Sequence, residues 1–294
     1  MTSPRAAVSW RPLDQADLPA ITELAQACLS ADGGQPFAAS PAFLSQCYLS
    51  GARARAGWVA GQLICVSSLR QPSAATPAAA AVTTGLVHPD WRRQGVGGHA
   101  FDWAAGQAGP GGLRAETEAL SDGAHALYLS RGLTQVLAED VMQLAGAAPS
   151  PGPAPAGLAL SHWGQSDPAR FYAVYAAAFR DRPGFPGWPQ EKWIEWISDD
   201  EDFRPQWSLL ATIDGTDAGF IVGDAAGWIT QLGVVPAARG AGLGGRMIAE
   251  VAGLMRAAGE TTITLNVGTD NPHAIALYRR LGFTRTGRRA KYQS

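Results

Sequence analysis

Two glycine-rich turns contain the residues best suited to bind an anion. They are 92–98 (Arg-Arg-Gln-Gly-Val-Gly-Gly) and 239–245 (Arg-Gly-Ala-Gly-Leu-Gly-Gly). Each follows a short apolar run that closes on proline, and each precedes apolar residues at helical spacing. Amide groups at the start of a helix lack intrahelical partners and carry partial positive charge, and glycine lets a phosphate approach them closely. Each turn therefore predicts a strand–turn–helix unit that can hold a phosphate.

A second motif follows each turn, namely Ala-Leu-Tyr and then glycine, at 126–132 and again at 276–282. Because both motifs recur in the same order, the chain is predicted to be a duplication of one domain. A stretch rich in proline, alanine and glycine separates the two copies and predicts a semi-rigid linker. The predicted boundaries are 1–146 for the first domain, 147–157 for the linker and 158–294 for the second domain.

Periodicity predicts the same α+β fold in both copies, a mixed and mostly antiparallel central sheet flanked by helices. The second copy gives the clearer pattern of helix, hairpin, strand, turn, helix, strand, helix and final strand. Its predicted helices are 168–180, 243–255 and 274–281, and its predicted strands are 207–213, 218–222, 228–235 and 262–267. The first copy predicts helices at 18–29, 96–105 and 124–129, a hairpin at 58–69, and strands at 82–87 and 113–117.

Composition narrows the classes of partner. The net charge of −2 supplies no field that would attract nucleic acid or an anionic membrane, and no apolar run approaches the length of a membrane span. The three cysteines and five histidines have neither disulfide-framework nor metal-ligand spacing, so no metal site is predicted. A cytoplasmic protein is expected, and a monomer and a homodimer both remain open.

The two motifs of the second copy resemble those of the GNAT superfamily of N-acetyltransferases. They are Arg-x-x-Gly-x-Gly at 239–244 and Asn-x-x-Ala-x-x-Leu-Tyr-x-x-Leu-Gly-Phe at 271–283. The resemblance covers both copies, and the tandem arrangement is similar to that of two-domain members of the mycothiol synthase type. A dinucleotide fold is the rival, since 240–245 also reads Gly-x-Gly-x-x-Gly. However, Glu260 precedes the next strand instead of ending it, and the turn comes late in each copy.

The resemblance implies that acetyl-CoA is the co-substrate and that the second copy binds it. Backbone amides of the turn would hold the pyrophosphate, Arg239 would add a phosphate contact, and the strand before the turn would pair with the pantetheine arm. The residues so implicated are Leu232, Gly233, Val234, Arg239, Gly240, Ala241, Gly242, Leu243, Gly244, Gly245 and Asn271.

Tyr278 is the candidate catalytic residue of the second copy. After an amine attacks the thioester, the departing sulfur needs a proton, and a phenol can supply it. Tyr278 also fits the apolar stripe of its helix, so a packing role is the alternative. Many relatives carry a glutamate base on the strand before the turn. Here that strand holds Gln231, and Asp224 is a weak substitute.

The expected reaction is transfer of an acetyl group to the primary amine of a small molecule by direct attack. A non-catalytic acyl-CoA-binding module and acetylation of a protein N-terminus or lysine are the alternatives. An acidic run at 199–202 with Trp188, Trp193 and Trp196 is a candidate acceptor lip, although a solvated turn and packing tryptophans explain it as well. The first copy, with Ser121 in place of Asn271 and Glu116 in place of Asn266, is expected to be weakly active or structural.

Overall fold

The computed structural model describes residues 7–73, 79–182 and 185–294, which form eight α-helices and twelve β-strands. The helices are α1 Leu18–Asp32, α2 Pro41–Tyr48, α3 Val96–Ala105, α4 Asp122–Ser130, α5 Pro168–Phe179, α6 Gln190–Ser198, α7 Leu243–Ala257 and α8 Pro272–Arg280. The strands are β1 Ser9–Pro12, β2 Arg53–Val59, β3 Gln62–Arg70, β4 Ala81–Val87, β5 Leu113–Thr117, β6 Thr134–Ala145, β7 Leu158–His162, β8 Leu209–Ile213, β9 Thr216–Asp224, β10 Trp228–Val234, β11 Thr262–Gly268 and β12 Thr284–Gln293. Within these ranges, no helix is both long and apolar enough to cross a membrane.

The chain divides into two compact units. The first contains Met1–Val141 together with Thr286–Ser294, and the second contains Met142–Arg285. The final residues belong to the first unit because β12 pairs antiparallel with β5, with Tyr292 opposite Ala115. The ends of the compact units therefore differ from the ends of the two sequence copies. The predicted boundaries describe the repeat in the sequence, and they remain a prediction.

In the first unit, β1, β2, β3 and β4 pair antiparallel in that order, β4 pairs parallel with β5, and β5 pairs with β12. In the second unit, β7, β8, β9 and β10 pair antiparallel, and β10 pairs parallel with β11. The predicted fold class, a mixed and mostly antiparallel sheet with helices, is confirmed in both units. Each has one parallel pair, because α3 and α7 each follow one strand of that pair and carry the chain back to begin the other.

The helix α7 is held on the sheet of the second unit by one apolar face. Met247, Ile248 and Val251 are buried against Ile263 and Leu265 of β11. Their spacing along the chain places them on one side of a helix, which is why the sequence predicts this element correctly. The helix α8 begins as predicted: the side chain of Asn271 accepts a hydrogen bond from the amide of Ala274 at 3.1 Å, and Pro272 follows the cap.

Aromatic side chains form a second core in the second unit, between the helices α5 and α6 and the sheet. Trp193 is fully buried, and its ring stacks on Tyr175 at 4.9 Å between centroids. Phe171, Phe203 and Phe220 complete the cluster. Two of the three tryptophans considered as an acceptor lip differ in position: Trp193 is inside this core, whereas Trp196 is 50% exposed.

Tyr292 is expected to contribute much of the stability that β12 gives the first unit. Its side chain is fully buried, packs 4.9 Å from the ring of Tyr128, and its hydroxyl contacts His125 Nδ1 at 2.6 Å and Gln135 Nε2 at 2.7 Å. Tyr292→Ala should lower the free energy of unfolding of the first unit by roughly 3 to 5 kcal/mol, because a buried ring is removed. Tyr292→Phe should cost about 1 to 2 kcal/mol, because only the hydrogen bonds are lost.

The measurement is native-state hydrogen exchange, read on peptides from β5 and β4. Gln293→Ala is the matched control, because its side chain is exposed at the neighbouring position. Equal protection of β5 in the Tyr292→Ala variant and the wild type would contradict the assignment of Thr286–Ser294 to the first unit's core.

Candidate active site

The parallel strands β10 and β11 separate soon after they begin. Their register pairs Trp228 with Thr264 and Ile229 with Leu265 only. A register shift between Ile229 and Gln231 marks an irregularity in β10 at this point. From Gln231 onward, β10 pairs with β9 on one side, and its other edge no longer pairs with β11. The gap between these two strands is called the opening. Leu232, Gly233 and Val234 lie on this part of the strand, as the sequence predicts.

Gly233 cannot carry a side chain at this position. A Cβ built on it would lie 2.5 Å from Cε1 of Phe220 and 3.0 Å from Cβ of Ala178. The neighbouring side chains of Leu232 and Val234 pack against the core under α7. The strand therefore presents backbone groups to the opening while its side chains stay in contact with the protein.

The glycine turn at 239–245 connects β10 to α7 through left-handed backbone. Gly240 has φ +83° and Gly242 has φ +80°, and a Cβ on either would meet no atom within 4 Å. Gly242 is the N-cap of α7 and provides no side-chain hydrogen bond. Consequently the first amides of α7, from Leu243 to Gly245, lack intrahelical acceptors. This is a suitable cradle for a pyrophosphate.

Arg239 makes two hydrogen bonds to backbone carbonyls that the sequence does not predict. Its Nε donates to the carbonyl of Val234 at 3.2 Å, and its Nη2 donates to the carbonyl of Ala178 at 2.9 Å. The side chain therefore ties the end of α5 to the end of β10. A direct contact between Arg239 and a phosphate remains a prediction.

Tyr278 is on α8 and is 8% exposed, with its ring 6.0 Å from Phe283. Burial raises the pKa of its phenol to about 12, and the positive charge of Arg182 acts in the opposite direction. The hydroxyl therefore stays protonated at neutral pH, as a proton donor must. The packing role is observed, because the ring is in the core, and the donor role remains a prediction.

Two amide side chains on the separating strands have unused hydrogen-bonding capacity. Oε1 of Gln231 on β10 and Oδ1 of Asn266 on β11 are buried and accept no hydrogen bond from the described residues. Buried polar atoms are normally satisfied, so each is available to a ligand or to water. Together with the open turn, they indicate that the opening suits a long polar ligand with a phosphate group such as CoA.

Asp224 is not brought to this opening. It ends β9 opposite Trp228, where β10 and β11 are still paired. Burial raises the pKa of its carboxyl to about 7, with further increases from Asp200 and Asp202 and a smaller decrease from Arg204. The acidic run at 199–202 therefore lies close to Asp224. Gln231 has an amide side chain, which cannot accept the proton of an attacking amine.

The first unit contains a cleft of the same type, which is a cavity of about 230 Å³. It is lined by Gly95 and Gly97 of the turn, by Thr83 of β4 and by Tyr128 of α4. Here β4 and β5 pair only from Ala81 to Thr83, and Gly95, with φ +84°, begins α3. The copies thus share the separated strands, the left-handed glycine and the buried tyrosine.

Arginine is anchored differently in the two turns. Arg92 also donates Nε to a strand-end carbonyl, Val87, at 3.1 Å, but both its Nη atoms bind the carboxylate of Asp32 at 2.7 Å. The second unit uses the carbonyl of Ala178 instead. No local sequence pattern points to Asp32 or to Ala178 as a partner, because both lie far from the turn along the chain.

Comparisons with known proteins agree with this geometry. The model of the Acetyltransferase (GNAT) family matches residues 169–283. A mycothiol acetyltransferase from Kineococcus radiotolerans is 34% identical over 71% of this chain and 71% of its own length. One from Salinispora arenicola is 31% identical over 96% of this chain and 94% of its own.

This chain belongs to the GNAT acetyltransferase family. It is an acetyl-CoA-dependent N-acyltransferase. Among solved structures, a GNAT N-acetyltransferase from Sphaerobacter thermophilus has a TM-score of 0.75 at 24% identity and covers 100% of this chain and 96% of its own. A tandem GNAT protein from the clavulanic acid biosynthesis pathway has a TM-score of 0.61 at 18% identity, with 98% of both chains covered. These two likenesses concern the fold.

Asp224 is expected to make stability fall as pH rises. Its folded-state pKa of about 7 is above the ordinary value of 3.8, so ionisation opposes folding. The penalty is absent below about pH 4, grows between pH 4 and 7, and is complete above pH 7. Asp224→Asn should therefore stabilise the second unit at pH 8. The expected gain is roughly 1 to 2 kcal/mol, which is less than the full pKa difference implies, because water reaches part of the carboxyl.

Hydrogen exchange of β9 and β10 peptides at pH 5 and pH 8, corrected for the intrinsic rates, measures the difference in stability between Asp224→Asn and the wild type. This difference should be smaller at pH 5 than at pH 8. Asp199→Asn, which removes an exposed carboxyl from the same acidic run, is the control and should change little at either pH. A stabilisation by Asp224→Asn that is equal at both pH values would contradict the assigned cause.

Proposed function

We propose that the second unit transfers the acetyl group of acetyl-CoA to the primary amine of a small molecule by direct attack. The single observation that carries this proposal is the uncapped glycine turn at 239–245, which adjoins the separated end of β10. The relatives' name makes an amine-bearing form of mycothiol the first acceptor to test. The free state of Cys28, Cys47 and Cys65 is compatible with a cytoplasmic location.

Different segments of the second unit bind different parts of acetyl-CoA. Acetyl-CoA supplies an activated acyl group. The amides of Leu243, Gly244 and Gly245 bind the pyrophosphate, while Gly240 and Gly242 keep the approach to them open. The backbone of Leu232, Gly233 and Val234 pairs with the pantetheine arm, and Asn271 supports this site by fixing the start of α8.

Tyr278 delivers its phenolic proton to the sulfur that leaves. The hydroxyl carries its proton at neutral pH with or without the rise of its pKa to about 12, and the ring is held by Phe283. A phenol in this place acts late in the reaction, so its loss slows turnover more than it weakens binding.

The first unit is proposed to bind acyl-CoA without efficient turnover. Its cleft has the turn, the separated strands and Tyr128, which favours binding. Its Tyr128 has Tyr292 as a neighbour and Glu116 occupies the position of Asn266, so the groups around the reacting centre differ from those of the second unit. A purely regulatory acyl-CoA-binding module is the second candidate function on the same observation.

Isosteric substitutions at the two turns test which unit works. Asparagine and aspartate both tolerate left-handed backbone and differ mainly in charge. Gly242→Asp should weaken acetyl-CoA binding about tenfold relative to Gly242→Asn, because a negative charge then faces the pyrophosphate. Turnover at subsaturating acetyl-CoA should fall equally. Gly95→Asp and Gly95→Asn are the matched pair in the first unit and should leave turnover unchanged.

Calorimetric titration with acetyl-CoA and chromatographic detection of acetylated product provide the two measurements. If Gly95→Asp abolishes turnover and Gly242→Asp does not, the assignment of the active unit is wrong. If the wild type binds acetyl-CoA but acetylates neither deacetylated mycothiol nor any member of a broad amine panel, the regulatory function replaces the enzymatic one.

Tyr278→Phe should lower kcat by roughly 10² to 10⁴-fold, the range that a positioned general acid contributes, with little change in KM for acetyl-CoA. The ring stays in place, so the stability of the second unit should change little. Tyr128→Phe is the matched control in the first unit and should leave kcat unchanged. An unchanged kcat in Tyr278→Phe would remove the phenol from the reaction.

A further inference from the structure

Two amide side chains stand on either side of the opening at the point where it begins. Leu265 is the last residue of β11 that pairs with β10, and Asn266 follows it directly. Gln231 follows Ile229, the last residue of β10 that pairs with β11, after the irregularity at Thr230. The two amides therefore belong to the first residues of each strand that are no longer joined to the other.

The register assigns both side chains to the face of the sheet that α5 and α6 cover. Leu265 and Val267 of β11 are buried in the core under α7, so Asn266 between them points the other way. Gln231 is opposite Val222 in the antiparallel pair, and directly opposite residues share a face. Val222 is part of the aromatic core between the sheet and the helices α5 and α6. The two amides therefore lie on one face of the sheet, across the opening from each other.

The carbonyl oxygens of these amides accept no hydrogen bond from the described residues. Gln231 Oε1 and Asn266 Oδ1 are both buried, where a polar atom normally has a partner. Each residue as a whole is only partly buried, and the last torsion of an amide side chain is broad. A rotation about that torsion brings each oxygen to the opening at little cost. The pair thus offers two hydrogen-bond acceptors and no carboxylate.

The direction of these side chains separates them from the part of the opening proposed for the co-substrate. Strand backbone forms its hydrogen bonds in the plane of the sheet, whereas side chains stand roughly perpendicular to it. A pantetheine arm that pairs with the edge of β10 therefore lies in this plane, and the amides meet a group that comes from the face of α5 and α6. Tyr278 belongs to the core on the other face. A group bound by the amides and the proposed proton donor thus approach the thioester from opposite sides.

The equivalent positions of the first copy hold different side chains. Thr83 of β4 is the last residue that pairs with β5, opposite Ala115, and the residues that follow them are Thr84 and Glu116. The carboxylate of Glu116 forms an ion pair with Arg114, at 2.7 Å between Oε1 and Nε. The first copy thus places a hydroxyl and a paired carboxylate where the second copy places two amides.

We propose that Gln231 and Asn266 bind the two N–H groups of a neutral primary amine and so select primary amines as acceptors. This inference rests on the proposed function, because it assigns residues to the acceptor of that reaction. A neutral primary amine has two N–H donors and one lone pair. When both donors are bound to carbonyl oxygens, the lone pair is left to face the acyl carbon. A secondary amine has one N–H and an alcohol has one O–H, so either leaves one oxygen without a partner.

The bonds and protons of the transfer balance in this arrangement. The acceptor loses its ammonium proton to solvent and binds as a neutral amine. Its nitrogen then bonds to the acyl carbon, the bond between carbon and sulfur breaks, and the sulfur takes a proton from Tyr278. The nitrogen releases one N–H proton to solvent and Tyr278 regains one from solvent, so an amide and a free thiol are the products. Gln231 and Asn266 only accept hydrogen bonds, and neither gains or loses a proton.

The selection follows from the cost of an oxygen that is buried without a partner. A site that hydrogen-bonds a group of its substrate rejects an analogue that lacks this group, because the polar atoms of the site then lose water and gain nothing. An N-methyl derivative of the acceptor lacks one N–H and places a methyl group beside one of the two oxygens. The preference for the primary amine is therefore set by these two side chains, whereas a change in packing affects both amines alike.

The test measures kcat/KM for one primary amine and for its N-methyl derivative. The primary amine is deacetylated mycothiol or, if the wild type does not acetylate it, the member of the amine panel with the highest turnover. Gln231→Met and Asn266→Leu each remove one carbonyl oxygen at nearly the same volume. Each should lower kcat/KM for the primary amine by about three- to tenfold, the worth of one hydrogen bond, and should change the value for the N-methyl amine less. KM for acetyl-CoA should change little.

Two further variants separate a hydrogen bond from a packing effect. Gln231→Glu keeps an oxygen that accepts a hydrogen bond and should retain most of the preference for the primary amine. Thr230→Val removes the hydroxyl of the exposed neighbouring residue at the same volume and should match the wild type. Calorimetric titration of both amines into the protein saturated with CoA gives the same comparison without turnover. There, Gln231→Met and Asn266→Leu should each bind the primary amine about three- to tenfold more weakly than the wild type does.

The outcomes distinguish this inference from the proposed function. If the wild type acetylates both amines equally well, or if both variants lower kcat/KM for the two amines by the same factor, the selection by this pair is overturned and the acetyl transfer stands. A loss confined to KM for acetyl-CoA would assign the amides to the co-substrate instead. No product with any amine would overturn the proposed function, and the calorimetric comparison would still decide whether the pair binds a primary amine.

Discussion

The separation of two parallel strands is the constraint on which the rest of the second unit depends. Because β10 pairs with β11 only through its first two residues, Trp228 and Ile229, the later part of β10 keeps one edge of its backbone free. The irregularity of β10 between Ile229 and Gln231 accompanies this separation, and Gly233 lets Phe220 and Ala178 pack close against the free part of the strand. The turn, α7 and Arg239 then follow from the end of the same strand. A closed sheet here would bury the strand edge and leave the helix start facing protein instead of ligand.

A comparison of the two copies shows which contacts of the turn arginine are common to both and which differ. Both copies keep the arginine that donates Nε to the strand-end carbonyl, with Arg92 bound to Val87 and Arg239 bound to Val234. This common contact fixes the angle at which the chain leaves the strand. The second attachment differs, being a carboxylate in one copy and a carbonyl in the other. The arginine of the motif therefore has a folding role that would be conserved through duplication even where the turn bound nothing.

Much of the fold and part of the site could be predicted from the sequence. Elements with regular apolar spacing, such as α7, and elements with caps, such as α8 after Asn271, are close to their predicted positions. The element order predicts a final strand after the last helix, which is β12, but neither β12 nor β6 receives predicted bounds, because their sequences are polar or mixed. The placement of Thr286–Ser294 in the first unit is likewise set by contacts with β5 that no local pattern encodes. For the same reason, the environment of Tyr278 could be predicted only as a helix face.

The equal burial of Tyr128 and Tyr278 bears on how catalysis could be confined to one copy of a duplicated fold. Burial raises the pKa of both phenols to about 12, so protonation state alone does not distinguish a donor from a packing residue. What differs is the cost of the charge that donation leaves behind. Beside Tyr128 stands a second phenol, that of Tyr292, whereas the ring neighbour of Tyr278 is the apolar side chain of Phe283. Different neighbours around two equally buried phenols are therefore one way in which two similar clefts could differ in chemistry without a change in the sheet or the ligand-binding turn.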